Sequence, residues 1–254
     1  MNLSVVIPAY QNVVEVLMCL NSLRAMQVGE CEYLVQDDAS PNLNMGLVIP
    51  PEIASVQRND FNVGFGVNAN TGAGRASGDI LFFVNQDCFA WDGLSNGWDA
   101  ALMSAFADAS VGIVGARLLF PDLRIQSAGG ILDAKCQPHH RHLGYSNPNH
   151  PDVNTPGEVS WVTGAALAVR RELFYQVGGF DVAYKAYFED VDVCLKVATM
   201  GYKVWYEPRC TLIHKTGTTG GSPHFMNSAR TFKERWVDTG KVKQDSYTVS
   251  ERFW

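Results

Sequence analysis

Asn85-Gln86-Asp87 stands where an unbroken apolar run, Ile80-Leu-Phe-Phe-Val84, comes to an end. In open α/β sheets ligands bind beyond the carboxyl ends of the strands, so amides and a carboxylate at this point can serve a ligand. An acidic residue there can equally be a turn former or a helix cap. Gln36-Asp37-Asp38-Ala39-Ser40 closes a second short apolar run in the same manner, and His214 closes another after Thr211-Leu-Ile213. Tyr187-Phe-Glu-Asp-Val-Asp192 then sets three acids within four positions at the start of a helical pattern. Acids in a first turn complement the helix dipole, but three exceed what capping needs. On a helix Glu189 and Asp192 share a side and Asp190 points elsewhere, so at least one is expected to face a cleft.

For these groups to meet, several strands must end on one rim. Leu3 to Ile7 reads as a strand ending at Pro8-Ala9-Tyr10. Asn12 is the expected N-cap of a helix with apolar residues at Val13, Val16, Leu17, Leu20 and Leu23. Tyr33 to Val35 follows as a strand, and the right-handed crossover rule puts both strands in one parallel sheet. Ala54 to Gln57 reads as a further strand. The glycine-rich stretch from Asn62 to Gly78 completes no G-x-G-x-x-G, since Ala69 and Ser77 fill the last places. It reads instead as a loop leading into a small-residue helix packed closely on the sheet. Leu94 to Phe106 is expected to be helical and Val111 to Val114 a strand.

From Ala116 to Pro156 the pattern loosens. His139-His-Arg-His142 lies there and reads as a mobile surface loop, because no acidic or cysteine partner completes a ligand set. Val159 to Arg170 reads as strand, tight bend, strand, and Arg171 to Val177 as a short helix. The helix opened by the acids runs to Met200, with Gly201 as its C′ residue. Lys203 to Tyr206 and Thr211 to Ile213 read as two strands. The stretch from Thr216 to Gly221 suits a lid, and Ser222 to Val237 an amphipathic helix.

The bulk numbers narrow the classes. With 46% hydrophobic and 18% charged residues, the 254-residue chain has an ordinary globular composition. A net charge of −6 argues against general nucleic-acid binding. From Lys196 onward, however, ten basic residues face only five acids. That region suits an anionic membrane or a phosphate-bearing substrate, or forms a solvated helix face. No segment reaches the roughly 18 apolar residues of a bilayer span, and the first residues lack the basic start of a signal peptide. The six scattered cysteines are expected to be reduced core residues of a cytoplasmic protein.

Taken in order, these pieces resemble the family 2 inverting glycosyltransferases of the GT-A fold. The matching stretches are Val5-Val-Ile-Pro-Ala-Tyr10, Gln36-Asp-Asp-Ala-Ser40, Asn62-Val-Gly-Phe-Gly66 with Asn68 and Asn70, and Gly78-Asp79 through Asn85-Gln-Asp87. Trp161-Val-Thr-Gly-Ala165, Gly179-Phe-Asp181, Phe188-Glu-Asp-Val-Asp192, Gly201-Tyr202 and His214 follow. The likeness is nearest to the branch of rhamnosyl-, galactofuranosyl- and N-acetylhexosaminyl-transferases of bacterial surface polysaccharides. It implies one α/β domain over residues 1–254, with a Rossmann-like, mostly parallel central sheet flanked by helices, a smaller acceptor-side sheet and a C-terminal helix. Residues 1–115 would form the nucleotide-sugar half, 116–220 the acceptor and catalytic half, and 221–254 the C-terminal helix and tail.

The same resemblance implies the roles. Asp87 and His214 would hold Mn²⁺ or Mg²⁺, and Asp190 would be the base, with Glu189 and Asp192 positioning acceptor and helix. Pro8, Ala9 and Tyr10 would form the nucleotide platform, and Asp38 would accept from a pyrimidine imide, favouring a UDP- or dTDP-sugar. Asn62, Gly64, Asn68, Asn85 and Gln86 would line the donor site, and Gly164 and Ala165 would leave room beneath the sugar. The acceptor would be a glycan or lipid-linked glycan, met at the inner face of the membrane through a tail carrying Phe253 and Trp254. Asn85 departs from the Asp-x-Asp form, which keeps a catalytically inactive nucleotide-sugar or glycan binding module as the alternative. Trp161, Tyr184, Tyr187 and Trp236 are aromatic candidates for sugar stacking, with core packing the expected use of most.

Overall fold

The computed structural model describes residues 1–41, 43–216, 224–242 and 244–245. In chain order the strands are β1 (Leu3–Ala9), β2 (Cys31–Asp37), β3 (Ser55–Arg58), β4 (Ile80–Val84), β5 (Cys88–Phe89), β6 (Val111–Leu119), β7 (Ile125–Ser127), β8 (Gly130–Leu132), β9 (Pro138–His140), β10 (Gly157–Glu158), β11 (Ala166–Arg170) and β12 (Lys203–His214). The helices are α1 (Val13–Met26), α2 (Phe65–Ala73), α3 (Trp98–Ala105), α4 (Pro151–Asn154), α5 (Arg171–Gln176), α6 (Glu189–Thr199) and α7 (Phe225–Phe232).

One sheet in the order β10-β12-β6-β11-β4-β1-β2-β3 carries the molecule, with β5 beside β12 and β7 beside β6. β8 and β9 form a separate two-stranded sheet. β1, β2, β3 and β4 run parallel, as do β6 and β12, while β11 runs backward between β4 and β6, and the short β10, β5 and β7 are also antiparallel to their neighbours. The carboxyl ends of β1, β2, β4 and β12 and the amino end of β11 therefore lie on one rim. β4 is buried at every position, as an apolar run covered on both faces must be. Helices cover the two faces over separate apolar clusters, one against α1 and α3, the other against α2, α5 and α6. α2 can lie close because of its small residues: a Cβ on Gly72 would come within 2.7 Å of Val6.

Several local expectations change. Asn12 makes no side-chain cap; it and Gln11 take left-handed backbone, with φ of 45° and 59°, to turn the chain off the rim. Lys203 to His214 is one strand, irregular across Glu207 to Thr211, where Pro208 interrupts the ladder. The histidine loop is an ordered hairpin. His139 Nε2 lies 3.0 Å from Asp133, six residues upstream, and His140 packs on Trp161 with ring centroids 4.8 Å apart. The acidic partner thus exists, yet among the described residues no third ligand gathers there.

The C-terminal cations are largely neutralised within the chain. Lys196 pairs with Asp181 and Asp192, Lys203 with Asp108, Arg209 with Glu207, and Arg235 with Asp181. All six cysteines are free thiols. Among the described residues no helix is long and apolar enough to cross a membrane. The expected lid from Gly217 onward and the tail with Phe253 and Trp254 lie outside the described residues.

Candidate active site

Asp87 is placed by a tight turn after β4. Asn85 N–H donates to the Ala165 carbonyl (3.0 Å), and Cys88 N–H donates back to the Asn85 carbonyl (3.0 Å). β5 then pairs with β12 so that His214 lies opposite Cys88. This register brings His214 Nε2 to 3.1 Å from Asp87 Oδ1, with both side chains nearly buried. Burial would raise the Asp87 carboxyl, but the bond and charge of His214, aided by backbone N–H groups, hold it below the usual carboxylate range. A carboxylate oxygen beside an imidazole nitrogen is a donor set that suits Mn²⁺, so the residues present fit the expected cation. Cys88 lies in the same cluster, its Sγ within 4.8 Å of the ligand atoms of Asp87 and His214. Burial pushes its thiol well up, and it donates to the Ala165 carbonyl at 3.3 Å. Asn85 stands beside the pair, its amide nitrogen 3.5 Å from His214 Nε2.

The acidic motif separates into different duties. Asp190 Oδ2 accepts from Gly164 N–H at 2.9 Å, and Oδ1 accepts from Val191 N–H at 2.8 Å. Glu189 Oε2 is buried with no hydrogen-bond partner among the described residues. Burial first, and the Asp190 carboxylate second, push Glu189 up to about 8. Burial also raises Asp190, opposed by the two backbone N–H groups. The group with donors keeps the negative charge and the group without them keeps the proton, which is how neighbouring carboxyls divide acid and base duties. Gly164 leaves room for this: a Cβ there would approach Asp190 Cβ to 3.3 Å.

Asp192 does not join them. It is wholly buried, accepts from Trp236 Nε1 (2.8 Å) and Tyr184 OH (3.3 Å), and pairs with Lys196 at 2.6 Å. Its place in the catalytic set is therefore corrected to that of an anchor between α6 and the C-terminal segment. Trp161, Tyr184 and Trp236 are likewise buried, leaving Tyr187 as the exposed aromatic residue of that group.

On the nucleotide side, β1 ends at Ala9, whose carbonyl accepts from Asp38 N–H at 2.7 Å. Tyr10 and Gln86 clasp each other: Tyr10 N–H donates to Gln86 Oε1 (2.7 Å), and Gln86 Nε2 donates to the Tyr10 carbonyl (3.1 Å). Asp38 Oδ1 accepts from Asn59 (2.9 Å) and Val63 N–H (2.8 Å), and Oδ2 accepts from Gly64 N–H (2.9 Å). The carboxylate thus folds the Asn62–Gly64 turn beneath the rim, and Asn62 Nδ2 reaches the Asp38 carbonyl at 3.3 Å. Asn68 is buried; it donates to the Gln36 carbonyl and accepts from Asn59, each at 2.8 Å. The expectation that Asn68 lines the donor site is corrected, because its amide is already bonded at both ends. Asp37, behind Asp38, accepts from Ser40 and pairs with Arg58 at 2.7 Å.

These contacts close on themselves. Asp190 holds Gly164, Ala165 holds Asn85, Gln86 holds Tyr10, Ala9 holds Asp38, and Asp38 holds Gly64. The ring of Phe65 next to Gly64 then lies 3.8 Å from where a Cβ on Gly164 would sit. Tyr10, Asp38, the Asp87–His214 pair and Asp190 are thereby linked along one rim. Sequence reasoning missed Gln126, which bonds His214, and Arg58, which balances Asp37. Neither carried a pattern: Gln126 is a lone amide in an aperiodic stretch, and Arg58 ends a strand that is mostly exposed.

The architecture and rim define the GT-A glycosyltransferase fold. Residues 4–120 match glycosyl transferase family 2. The O-antigen biosynthesis protein RfbC of Myxococcus xanthus is 33% identical over 152 residues, 57% of this chain and 12% of that protein. The N-acetylglucosaminyl-diphospho-decaprenol L-rhamnosyltransferase of Mycobacterium tuberculosis is 42% identical over 66 residues, 26% of this chain and 22% of that protein. The chain thus spans less than a quarter of the length of either relative. Among solved structures, GalNAc-T7 with UDP, GalNAc and Mn²⁺ superimposes with a TM-score of 0.73 at 18% identity, over 94% of this chain and 49% of that one.

Proposed function

We propose that the chain is a divalent-cation-dependent inverting glycosyltransferase that moves a sugar from a UDP- or dTDP-sugar to a hydroxyl of a glycan or lipid-linked glycan, in the synthesis of a surface polysaccharide. The observation that carries this reading is the placement of the Asp87–His214 pair and the Asp190 carboxylate on one rim, joined through Gly164, Ala165 and Asn85. The names of the relatives support the acceptor class, and the Mn²⁺ and UDP of GalNAc-T7 support the donor and cation.

Asp190 takes the acceptor proton as the hydroxyl oxygen attacks the anomeric carbon, and the bond from that carbon to the diphosphate oxygen breaks on the opposite face. Glu189, kept neutral, leaves the charge on Asp190. A cation bound by Asp87 and His214 supplies Lewis-acid stabilisation of the departing diphosphate. Gly164 and Ala165 leave space for the sugar, Tyr10 and Pro8 form the platform, and Asp38 Oδ2, with one bond made, accepts from the pyrimidine imide.

The test pairs UDP- and dTDP-sugars with Mn²⁺ and an N-acetylglucosaminyl-diphospho-lipid acceptor. Acceptor-dependent release of nucleoside diphosphate is expected, abolished by EDTA and lowered about 10²- to 10⁴-fold in Asp190→Asn with donor affinity retained. A wild-type rate in Asp190→Asn removes the base assignment, and full activity in EDTA removes the cation. The neutral Asn85 favours a second reading, a binding module without catalysis, which predicts donor binding and no diphosphate release.

A further inference from the structure

We infer that Gln126 is the positioning residue of the cation site, setting the tautomer of His214 and aiming its Nε2 at the space shared with Asp87. The inference rests on the proposed function, because the atom being aimed is the one assigned to the cation. Gln126 lies in β7, in the stretch between β6 and β8, and is 7% exposed. Its Nε2 donates to the His214 carbonyl at 3.2 Å. A backbone carbonyl can only accept, so the amide must present its NH₂ there and its oxygen to the ring. That oxygen lies 2.6 Å from His214 Nδ1. An amide oxygen cannot donate, so Nδ1 carries the hydrogen. Nε2 is left facing Asp87 Oδ1 at 3.1 Å, so the atom aimed by this grip is the one that would share a cation with Asp87.

The grip is double, since one amide holds both the ring and the main chain of the same histidine. Ring rotation and peptide rotation are thereby limited together, which a single acceptor would not achieve. Partners that orient a metal-binding histidine typically change metal affinity by about 10- to 100-fold when removed. Among the described residues the Gln126 side chain bonds only His214, so its removal should act through His214.

The test compares wild type, Gln126→Leu and Gln126→Glu. In metal-free protein under mildly alkaline conditions, ¹⁵N NMR of His214 should show the Nδ1–H tautomer in wild type and a shift toward Nε2–H in Gln126→Leu. Mn²⁺ titration read by electron paramagnetic resonance should weaken about 10- to 100-fold in Gln126→Leu. Gln126→Glu, which still accepts from Nδ1–H but cannot donate to the His214 carbonyl, should restore the tautomer and part of the affinity. UDP binding without Mn²⁺ should be unchanged throughout. An unaltered tautomer and Mn²⁺ affinity in Gln126→Leu overturns the inference. So does equal damage in both variants accompanied by loss of metal-free UDP binding, which marks a merely structural residue. Wild-type protein that binds no Mn²⁺ strikes the cation assignment itself; the tautomer, read without metal, still decides whether Gln126 aims the ring.

Discussion

The carboxyl pair of Glu189 and Asp190 shows how neighbours of almost the same chemistry are driven apart. Asp190 has two backbone donors, and Glu189 has a buried oxygen with none. Glu189, raised from 4.5 to about 8, therefore keeps its proton in the native state where the unfolded chain has lost it. Native protein binds more protons between those values, so stability is full below about 4.5 and falls as pH climbs through about 8. Glu189→Gln removes this dependence. Its melting temperature should match wild type in mild acid and exceed it increasingly toward pH 8, a difference that thermal melts across a pH series would reveal. A constant offset between the two curves would count against the pairing. At this scale Asp87 and His214 stood out because each follows an apolar run, and Asp190 because three acids fall within four positions. Asn68 and Asp192 carry equally polar side chains in equally suggestive motifs, but their partners Gln36 and Trp236 are remote in sequence. Nothing local distinguishes a polar group that meets a ligand from one that meets its own chain.

Among the elements, α6 and the C-terminal segment are lashed together by buried polar bonds. Asp192 receives Trp236 and Tyr184, Lys196 bridges Asp192 and Asp181, and Arg235 pairs with Asp181. Trp236→Phe keeps an aromatic ring but removes the indole N–H and part of the buried volume, leaving a buried carboxylate oxygen short of a donor. It should cost about 1–3 kcal/mol, measured from the shift in urea midpoint, with the KM for donor unaltered. Loss of donor binding at unchanged stability would instead place Trp236 in the site. The strands and helices of the first half were readable because period and punctuation agree there: apolar runs, then Asp, Asn or Gly. The second half was read poorly. β7 to β9 are three residues each, too short to show alternation, and their pairing is set by contacts such as Gly130 with Trp161. In the tail of α6, by contrast, Gly201 takes φ of 88° as its position required.

Across the whole molecule, the backward strand β11 joins the two kinds of chemistry. Its amino end carries Gly164 and Ala165 to the rim, where one meets Asp190 and the other meets the turn that holds Asp87. Donor and cation should therefore bind synergistically. UDP with Mn²⁺ together should raise the melting temperature by more than the sum of the separate shifts, since each ligand present at about 100 times its Kd adds about 2.7 kcal/mol. Simple additivity in a thermal-shift series would mean that the two subsites are independent.

The chain leaves the main sheet after β7 to form the β8–β9 hairpin and α4, then returns through β10. This excursion has the makings of an exchangeable cassette, with its two attachment points already on the scaffold. Gln126 stands just inside the first of them. A chimera grafted after Ser127 would inherit the histidine's orientation from the host, whereas one grafted before Ile125 would take it from the donor sequence and stand or fall by the residue that arrives there.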